Sequence, residues 1–176
     1  METPPGDATR PLLTRLRKSL IDILRPRLEG ARVLDLFGGS GAIAFECLSN
    51  GAAHAVIVEL DPATALLIRR NAQSLGVDGS VEVCTGDGIK AIAKLEDRED
   101  RFDIIIIAPP YGHTLQQQAL LRLSHAPVLA RGGLIVVQRD THEPFIEPAP
   151  GLVHGSTRSY GRTVFDFYSG RFSQQR

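Results

Sequence analysis

Few features of this 176-residue sequence point to a secreted, membrane-spanning or metal-binding protein. It has only two cysteines, Cys47 and Cys84, and their spacing matches no metal-ligand motif. A disulfide scaffold is therefore not expected, and a reducing compartment is. No apolar run reaches the roughly 18–20 residues that span a bilayer, and residues 1–7 do not read as a secretory leader. We therefore expect a cytoplasmic chain with no membrane partner and no bound metal.

The sequence also has no net charge, because 20 Lys and Arg side chains balance 20 Asp and Glu side chains. This balance excludes a protein that is basic over its whole surface, as a non-specific nucleic-acid binder would be. The charges are unevenly distributed, however. Between Arg10 and Arg32 lie seven basic residues and only two acidic ones, Asp22 and Glu29. This segment predicts either a helix that binds an anionic ligand or a helix whose charged face is merely solvated.

Apolar runs and turn residues alternate along the chain, which predicts alternating strands and helices. Strands are predicted over 32–37, 55–60, 81–84, 102–107 and 134–138, and helices over 11–24, 42–49, 62–75, 88–95 and 115–123. This order predicts an α/β fold with a Rossmann-like, mostly parallel, doubly wound sheet. Residues 152–156 and 163–168 predict a terminal hairpin that adds two antiparallel strands at one edge, for seven strands in all.

The length and composition are those of one globular domain, with 43% hydrophobic and 23% charged residues. We expect this domain to cover residues 10–170 and to begin with the basic helix. Residues 1–9 and 171–176 are predicted to be disordered tails.

A glycine-rich segment, Phe37–Gly41, follows the first predicted strand and precedes a helix. Glycines at such a turn let the backbone approach a ligand closely. Gly39, Gly41 and Ala44 fit a dinucleotide-binding fingerprint, and Glu59 lies 20 residues after Gly39 at the end of the second strand. An acid there would accept hydrogen bonds from ribose hydroxyls. The alternative is a structural turn with a solvent-facing glutamate.

Two further acids lie at or just beyond predicted strands. Asp35 precedes Gly39 by four residues, where its carboxylate could hold an ammonium group or stabilise the turn. Asp87 follows the third strand, where it could accept a hydrogen bond from an adenine amino group or cap the next helix.

The segment Ala108-Pro109-Pro110-Tyr111 follows a strand that contains four consecutive isoleucines. Two prolines fix an extended backbone and leave their carbonyls free to accept hydrogen bonds. A neighbouring aromatic ring can stack on a planar base. Open α/β sheets bind ligands at this end of their strands, so we interpret the segment as part of a binding site rather than a plain rigid loop.

These segments together resemble the class I S-adenosylmethionine-dependent methyltransferases and, more narrowly, the bacterial 16S ribosomal RNA guanine-N2 methyltransferase family. The resemblance covers about residues 10–170. It is carried by the glycine-rich segment with Asp35, by Glu59-Leu60-Asp61 and by the Pro-Pro-Tyr segment. Two flanking stretches narrow it further, the Arg-Pro segment at Arg10 and the segment Arg158-Ser159-Tyr160-Gly161-Arg162-Thr163.

The resemblance implies S-adenosyl-L-methionine as the cofactor. Phe37 and the glycines would shape its pocket, Glu59 would hold the ribose and Asp87 would contact the adenine. The full implied set is Asp35, Phe37, Gly39, Ser40, Gly41, Glu59, Leu60, Asp61 and Asp87. The resemblance also implies methyl transfer to the exocyclic N2 of a guanine in 16S rRNA, with Ala108, Pro109, Pro110 and Tyr111 around the target base.

The chain departs from this family in two respects. The family has Asp or Asn at the position of Ala108, where the side chain accepts one N–H of the amine while the next proline carbonyl accepts the other. Loss of one such group typically costs on the order of 100- to 1000-fold in rate. Asp103 cannot replace it, because it lies roughly 16 Å away at the other end of the predicted strand. The family also carries a basic hairpin where only nine residues precede Arg10.

The leading hypothesis is therefore a monomeric RNA methyltransferase whose partner is ribosomal RNA or an assembling small ribosomal subunit. Its expected RNA contacts are Arg10, Arg15 and Arg17. One alternative is an impaired relative that binds cofactor or RNA without turnover. A nicotinamide-dependent oxidoreductase is disfavoured, because the Pro-Pro-Tyr segment has no role in hydride transfer.

Overall fold

The computed structural model describes residues 10–112 and 114–171, and for residues 10–13 it describes the backbone alone. The helices are α1 (Arg10–Leu24), α2 (Ala42–Ser49), α3 (Pro62–Ser74), α4 (Gly88–Asp97) and α5 (Leu115–His125). The strands are β1 (Arg32–Asp35), β2 (His54–Glu59), β3 (Val81–Thr85), β4 (Phe102–Ile107), β5 (Leu129–Asp140), β6 (Leu152–Tyr160) and β7 (Thr163–Gly170).

The seven strands form one sheet in the order β3-β2-β1-β4-β5-β7-β6. The strands β1 to β5 pair in parallel, whereas β7 pairs antiparallel with both β5 and β6. The predicted Rossmann-like sheet with an antiparallel hairpin at one edge is therefore confirmed. The chain winds outward from β1 to β3 and then returns to the other side of β1 as β4. The carboxyl ends of β1 and β4 are thus the point where the winding reverses, where open sheets of this kind hold ligands.

Apolar side chains cover both faces of the sheet. On one face, Leu20 and Leu24 of α1 and Ile68 of α3 pack against Ile104 and Ile106. On the other, side chains of α4 and α5 pack against Ile105 and Ile107. The isoleucine run is fully buried because each successive side chain enters the opposite core layer, as the sequence predicts for a central parallel strand.

Strand β5 begins at Leu129, five residues earlier than predicted. Phe102 pairs with Leu129 and Ile104 pairs with Leu134, so part of β5 bulges out of register between the two pairs. The bulge contains exposed Arg131 and Gly132, which interrupt the apolar pattern and conceal the start of the strand from sequence reasoning.

Both cysteines are free thiols, and only one lies fully in the core. Cys47 is buried in α2, whereas Cys84 is half-buried in the edge strand β3, where it packs against one core layer. An edge strand has one side without a neighbouring strand, which leaves Cys84 partly accessible. The predicted tails lie outside the described residues, apart from Arg171.

Candidate active site

The glycine-rich turn between β1 and α2 leaves open space on its outer side. Gly39 and Gly41 have φ angles of 54° and 77°, in the left-handed region that glycine adopts most readily. A Cβ atom on Gly41 would lie 2.7 Å from the ring of Phe45, whereas one on Gly39 would meet no atom within 4 Å. The Gly38 N–H donates to the Val58 carbonyl at 2.8 Å, which fixes the turn against β2. This turn can therefore cradle a ligand.

Glu59 ends β2 directly beside this turn. Its Oε2 accepts a hydrogen bond from the Gly39 N–H at 2.8 Å, and its Oε1 accepts one from the Asp61 N–H at 2.9 Å. Each carboxylate oxygen can accept more than one hydrogen bond, so Glu59 can also take ribose hydroxyls. The neighbouring Leu60 side chain is 70% exposed and offers an apolar surface at the same place.

Asp61 caps helix α3. Its Oδ2 accepts hydrogen bonds from the Thr64 hydroxyl and the Thr64 N–H, both at 2.7 Å, and these bonds lower the pKa of the Asp61 carboxyl. The geometry therefore gives Asp61 a structural role, and its contact with a cofactor stays a prediction.

Asp35 is buried at the carboxyl end of β1. Burial raises the pKa of its carboxyl from 3.8 to about 7, with a smaller upward contribution from the Glu59 charge, while a hydrogen bond from the Phe37 N–H at 3.3 Å opposes the rise. The ionised form therefore has little stabilisation near neutral pH. A cationic ligand group beside Asp35 would stabilise the ionised carboxylate.

Asp87 follows the carboxyl end of β3 and caps the N-terminus of α4. Its Oδ1 accepts a hydrogen bond from the Lys90 N–H at 2.8 Å. The capping role that the sequence left open is thus present, and it engages one carboxylate oxygen. The adenine contact stays a prediction.

The Pro-Pro-Tyr segment follows β4, next to β1 in the sheet. Ala108 is half-buried and Pro109 is buried, whereas Pro110 and Tyr111 are exposed. The Tyr111 hydroxyl accepts a hydrogen bond from Gln138 Nε2 at 3.2 Å, which holds the ring at the end of β5. Tyr111 is 47% exposed, so one side of its ring is open to a partner.

Sequence reasoning missed two residues that hold this segment in place, Gln138 and Glu143. Glu143 Oε1 accepts a hydrogen bond from the Gly112 N–H at 2.9 Å, and its Oε2 accepts one from the Asp140 N–H at 2.7 Å. These bonds join the segment to the end of β5. No local sequence signal marks either residue, because the contacts arise only when β4 and β5 pair.

A cavity of about 190 Å³ lies beside this segment, away from the glycine-rich turn. Its lining includes Gly112, the buried amide of Gln116, Arg139, Glu143 and Ile146.

The basic residues of α1 are only partly described. Arg15 is exposed, and Arg17 lies 3.7 Å from Glu46 of α2, so part of its charge is neutralised. The side chain of Arg10 lies outside the described residues. The structure shows no contact between Arg15 or Arg17 and the Pro-Pro-Tyr segment, so their role in binding RNA stays a prediction.

No helix within residues 10–112 and 114–171 is long and apolar enough to cross a membrane. Within the same ranges, no group of three or more His, Cys, Asp or Glu side chains is placed to hold a metal ion.

The family model for conserved hypothetical protein 95 (Cons_hypoth95) matches residues 1–169. The chain belongs to this family. YlbH of Bacillus subtilis (strain 168), named as a candidate rRNA methyltransferase, is 29% identical over 166 residues, covering 94% of this chain and 90% of YlbH. Ribosomal RNA small subunit methyltransferase D of Escherichia coli (strain K12) is 29% identical over 140 residues, covering 80% of this chain and 69% of that protein.

A solved structure supports the fold. The structure of yhhF from Escherichia coli, named as a candidate methyltransferase, superposes with a TM-score of 0.82 at 24% identity, covering 97% of this chain and 92% of that one. The family model and the two rRNA methyltransferase relatives confirm the resemblance that the sequence motifs indicated.

Proposed function

We propose that this chain transfers a methyl group from S-adenosyl-L-methionine to the exocyclic N2 of a guanine in small-subunit ribosomal RNA. The observation that carries the proposal is the pairing of β1 with β4, in which Asp35 lies opposite Ile106, two residues before Ala108. This pairing brings the glycine-rich turn next to the Pro-Pro-Tyr segment at the carboxyl ends of the parallel strands. The family relatives named above, one of them a small-subunit rRNA methyltransferase, support the choice of reaction and substrate.

The residues at these strand ends fit the cofactor. The open side of Gly39, the Glu59 carboxylate and the exposed Leu60 side chain offer a place for the ribose and adenine. Asp35 offers a buried carboxylate for a cationic group. S-adenosyl-L-methionine supplies a methyl group on a positively charged sulfur. The set Asp35, Phe37, Gly39, Ser40, Gly41, Glu59, Leu60, Asp61 and Asp87 is our proposed cofactor site.

The Pro-Pro-Tyr segment, which follows β4, fits a flipped base. The exposed Tyr111 ring offers a stacking surface, and such stacking is worth about 1–3 kcal/mol per base. The Pro109 carbonyl can accept one N–H of an exocyclic amine, which directs the nitrogen lone pair towards the methyl donor. No covalent nucleophile is needed, because orientation and hydrogen bonding supply the rate enhancement.

The proposal includes the wider setting of the reaction. Residues 10–170 act as one domain, the chain works as a monomer in the cytoplasm, and its partner is ribosomal RNA or an assembling small subunit. Residues Arg10, Arg15 and Arg17 contribute positive charge to RNA binding. Counterion release at such residues would make the affinity fall as salt rises.

A second candidate function is binding without turnover. It is favoured by one observation, the apolar side chain of Ala108 at the position where an amine acceptor is expected. The first candidate predicts binding of S-adenosylhomocysteine and methylated RNA, whereas the second predicts binding of the cofactor or of RNA and no methylated RNA.

The test combines calorimetry with product analysis. Titration with S-adenosylhomocysteine should give saturable binding, and titration with nicotinamide dinucleotide should give none. Small-subunit rRNA treated with the protein and S-adenosyl-L-methionine should yield N2-methylguanosine after digestion to nucleosides. Binding without a methylated nucleoside would support the second candidate, and methylation at another atom would contradict the guanine-N2 assignment.

A further inference from the structure

Gln138 lies beside Ala108 on the same face of the sheet. Ile107 and Val137 are the last residues paired across β4 and β5, and Ala108 and Gln138 are the residues that follow them along the chain. Ala108 packs against the core layer that also contains Val136, two residues before Gln138. Because side chains alternate along a strand, the Gln138 side chain lies on that same face of the sheet. Neighbouring strands lie about 5 Å apart.

Hydrogen bonds fix the Gln138 amide in this position. Its Nε2 donates to the Tyr111 hydroxyl at 3.2 Å, which orients the side chain. Its backbone carbonyl separately accepts a hydrogen bond from Gln116 Nε2 at 3.3 Å, which holds this part of β5 against α5. The donor end of the amide is thus engaged by Tyr111. The amide oxygen, Oε1, remains as the acceptor end of the same side chain, and Gln138 itself is half-buried.

An exocyclic amine that receives a methyl group needs two hydrogen-bond acceptors. Its two N–H groups must be held so that the nitrogen lone pair points at the methyl carbon, and positive charge develops on the nitrogen as the bond forms. The Pro109 carbonyl can serve as one acceptor. The methyl side chain of Ala108 cannot serve as the other.

We propose that Gln138 Oε1 is the second acceptor for the target amine, so that Gln138 does from β5 what Ala108 cannot do from β4. This inference rests on the proposed function. The nitrogen–carbon bond forms as the sulfur–carbon bond of the donor breaks, the sulfur keeps the electron pair of the broken bond, and the nitrogen releases one proton to water. Gln138 also orients the Tyr111 ring through its Nε2, so the same side chain positions the ring that stacks on the base and accepts a hydrogen bond from the amine of that base.

A binding experiment tests the contact without any turnover. The probes are a short pyrimidine-rich RNA with a single guanine and the same RNA with inosine, which lacks only the exocyclic amine. With S-adenosylhomocysteine present, wild-type protein should bind the guanine RNA about 30-fold more tightly, the size of two net hydrogen bonds from the amine, one to the Pro109 carbonyl and one to Gln138. Gln138→Leu should reduce this preference to about fivefold, and the control Gln118→Leu, on the exposed side of α5, should keep the wild-type preference. Equal affinities of the wild type for both RNAs would overturn the inference.

A rescue experiment tests the role in the reaction. Gln138→Leu should lower the rate constant of methyl transfer about 100-fold, and Gln138→Glu, which keeps an acceptor oxygen, should retain most of it. Ala108→Asp should restore transfer in the Gln138→Leu background, because it places a carboxylate beside the same amine. Tyr111→Phe removes only the bond between Tyr111 and Gln138. If Tyr111→Phe is as slow as Gln138→Leu, or if Ala108→Asp gives no rescue, Gln138 acts only by positioning Tyr111 and the inference is wrong.

The same variants separate failure of this inference from failure of the proposed function. If Gln138→Leu is as active as an active wild type, only the inference fails. If the wild type is inactive and Ala108→Asp is active, the second candidate function, binding without turnover, holds for the wild type, and Gln138 does not replace the acceptor. If neither protein transfers a methyl group although both bind S-adenosylhomocysteine, the proposed function fails.

Discussion

Glu59 accepts a hydrogen bond from the Gly39 backbone N–H at 2.8 Å, which joins the end of β2 to the outermost point of the glycine-rich turn. The same carboxylate accepts the Asp61 N–H through its other oxygen. One side chain therefore holds the turn, and in the proposed cofactor site the same side chain would accept hydrogen bonds from the ribose hydroxyls. Its removal should affect ligand binding more than folding, because the Gly38 N–H also holds the turn through its hydrogen bond to the Val58 carbonyl of β2.

Glu59→Ala should weaken S-adenosyl-L-methionine binding by roughly 1–3 kcal/mol, the usual cost of abandoning a hydrogen-bonding group in a binding site. Isothermal titration calorimetry measures the change, and circular dichroism checks that the fold is intact. Glu147→Ala is the matched control, because Glu147 is exposed on the connection between β5 and β6. An unchanged dissociation constant for Glu59→Ala would remove Glu59 from the site.

The Asp35 carboxyl should make stability depend on pH. Its pKa is 3.8 in the unfolded chain and about 7 in the folded protein, so between these values the folded protein binds one more proton than the unfolded chain does. Stability should therefore fall as pH rises from about 4 to about 7. Urea unfolding across this range should show a shallower fall for Asp35→Asn than for the wild type and for the exposed control Asp78→Asn. Parallel curves would show that Asp35 ionises normally.

Cofactor binding should show the opposite trend with pH. If Asp35 faces the cationic part of S-adenosyl-L-methionine, ionisation of Asp35 strengthens binding, and affinity should rise as pH increases through the Asp35 pKa of about 7. The Asp35→Asn variant should bind more weakly above that pH and lose this part of the pH dependence. A steep rise that persists in the variant would assign the effect to another group.

The basic residues of α1 should contribute to the salt dependence of RNA binding. Replacing Arg10, Arg15 and Arg17 together with Gln should reduce the slope of log K against log salt by about one for each phosphate that the variant no longer neutralises. Arg15→Gln alone should act more strongly than Arg17→Gln, because Arg17 lies near Glu46. Affinity for S-adenosylhomocysteine should not change. An unchanged slope in the triple variant would show that this face of α1 is only solvated.

Ala108→Asp should raise the rate of methyl transfer in the wild-type background and lower the melting temperature. The new carboxylate would accept the target amine more strongly than a neutral amide does, but without RNA it would be partly desolvated beside the core layer. Each kcal/mol of destabilisation should lower Tm by about 2–4 °C. Ala108→Val is the control for size, and it should not raise the rate. A folded, cofactor-binding Ala108→Asp protein that is no faster than the wild type would show that a carboxylate at this position adds nothing to catalysis, either because the substrate is not an amine of this kind or because Gln138 already supplies the acceptor.

The sequence predicts those parts of the fold that depend on local patterns. The run from Phe102 to Ile107 identifies a central strand because only a strand covered on both faces buries four consecutive isoleucines. The candidate cofactor residues are also recognisable, since each lies at or just beyond the end of a strand. The pair Ala108 and Gln138 could not be found in this way, because it depends on the register of β4 and β5.

The start of β5 and the role of Glu143 escape sequence reasoning for related reasons. The bulge at Arg131 and Gly132 removes the apolar alternation that marks a strand. Glu143 accepts a hydrogen bond from Gly112, which lies 31 residues earlier in the chain. Glu143 itself lies in the irregular connection that follows β5. Both features depend on tertiary pairing, which a local pattern does not encode.

The most direct test of the proposed function is transfer of tritiated methyl groups from S-adenosyl-L-methionine to defined acceptors. The acceptors are naked 16S rRNA, free 30S particles and double-stranded DNA, each with the wild type and Ala108→Asp. We predict that label enters rRNA or 30S particles and not DNA, that it is recovered as N2-methylguanosine, and that Ala108→Asp transfers it faster. Label in DNA alone, or no label in any acceptor with either protein despite cofactor binding, would contradict an rRNA methyltransferase.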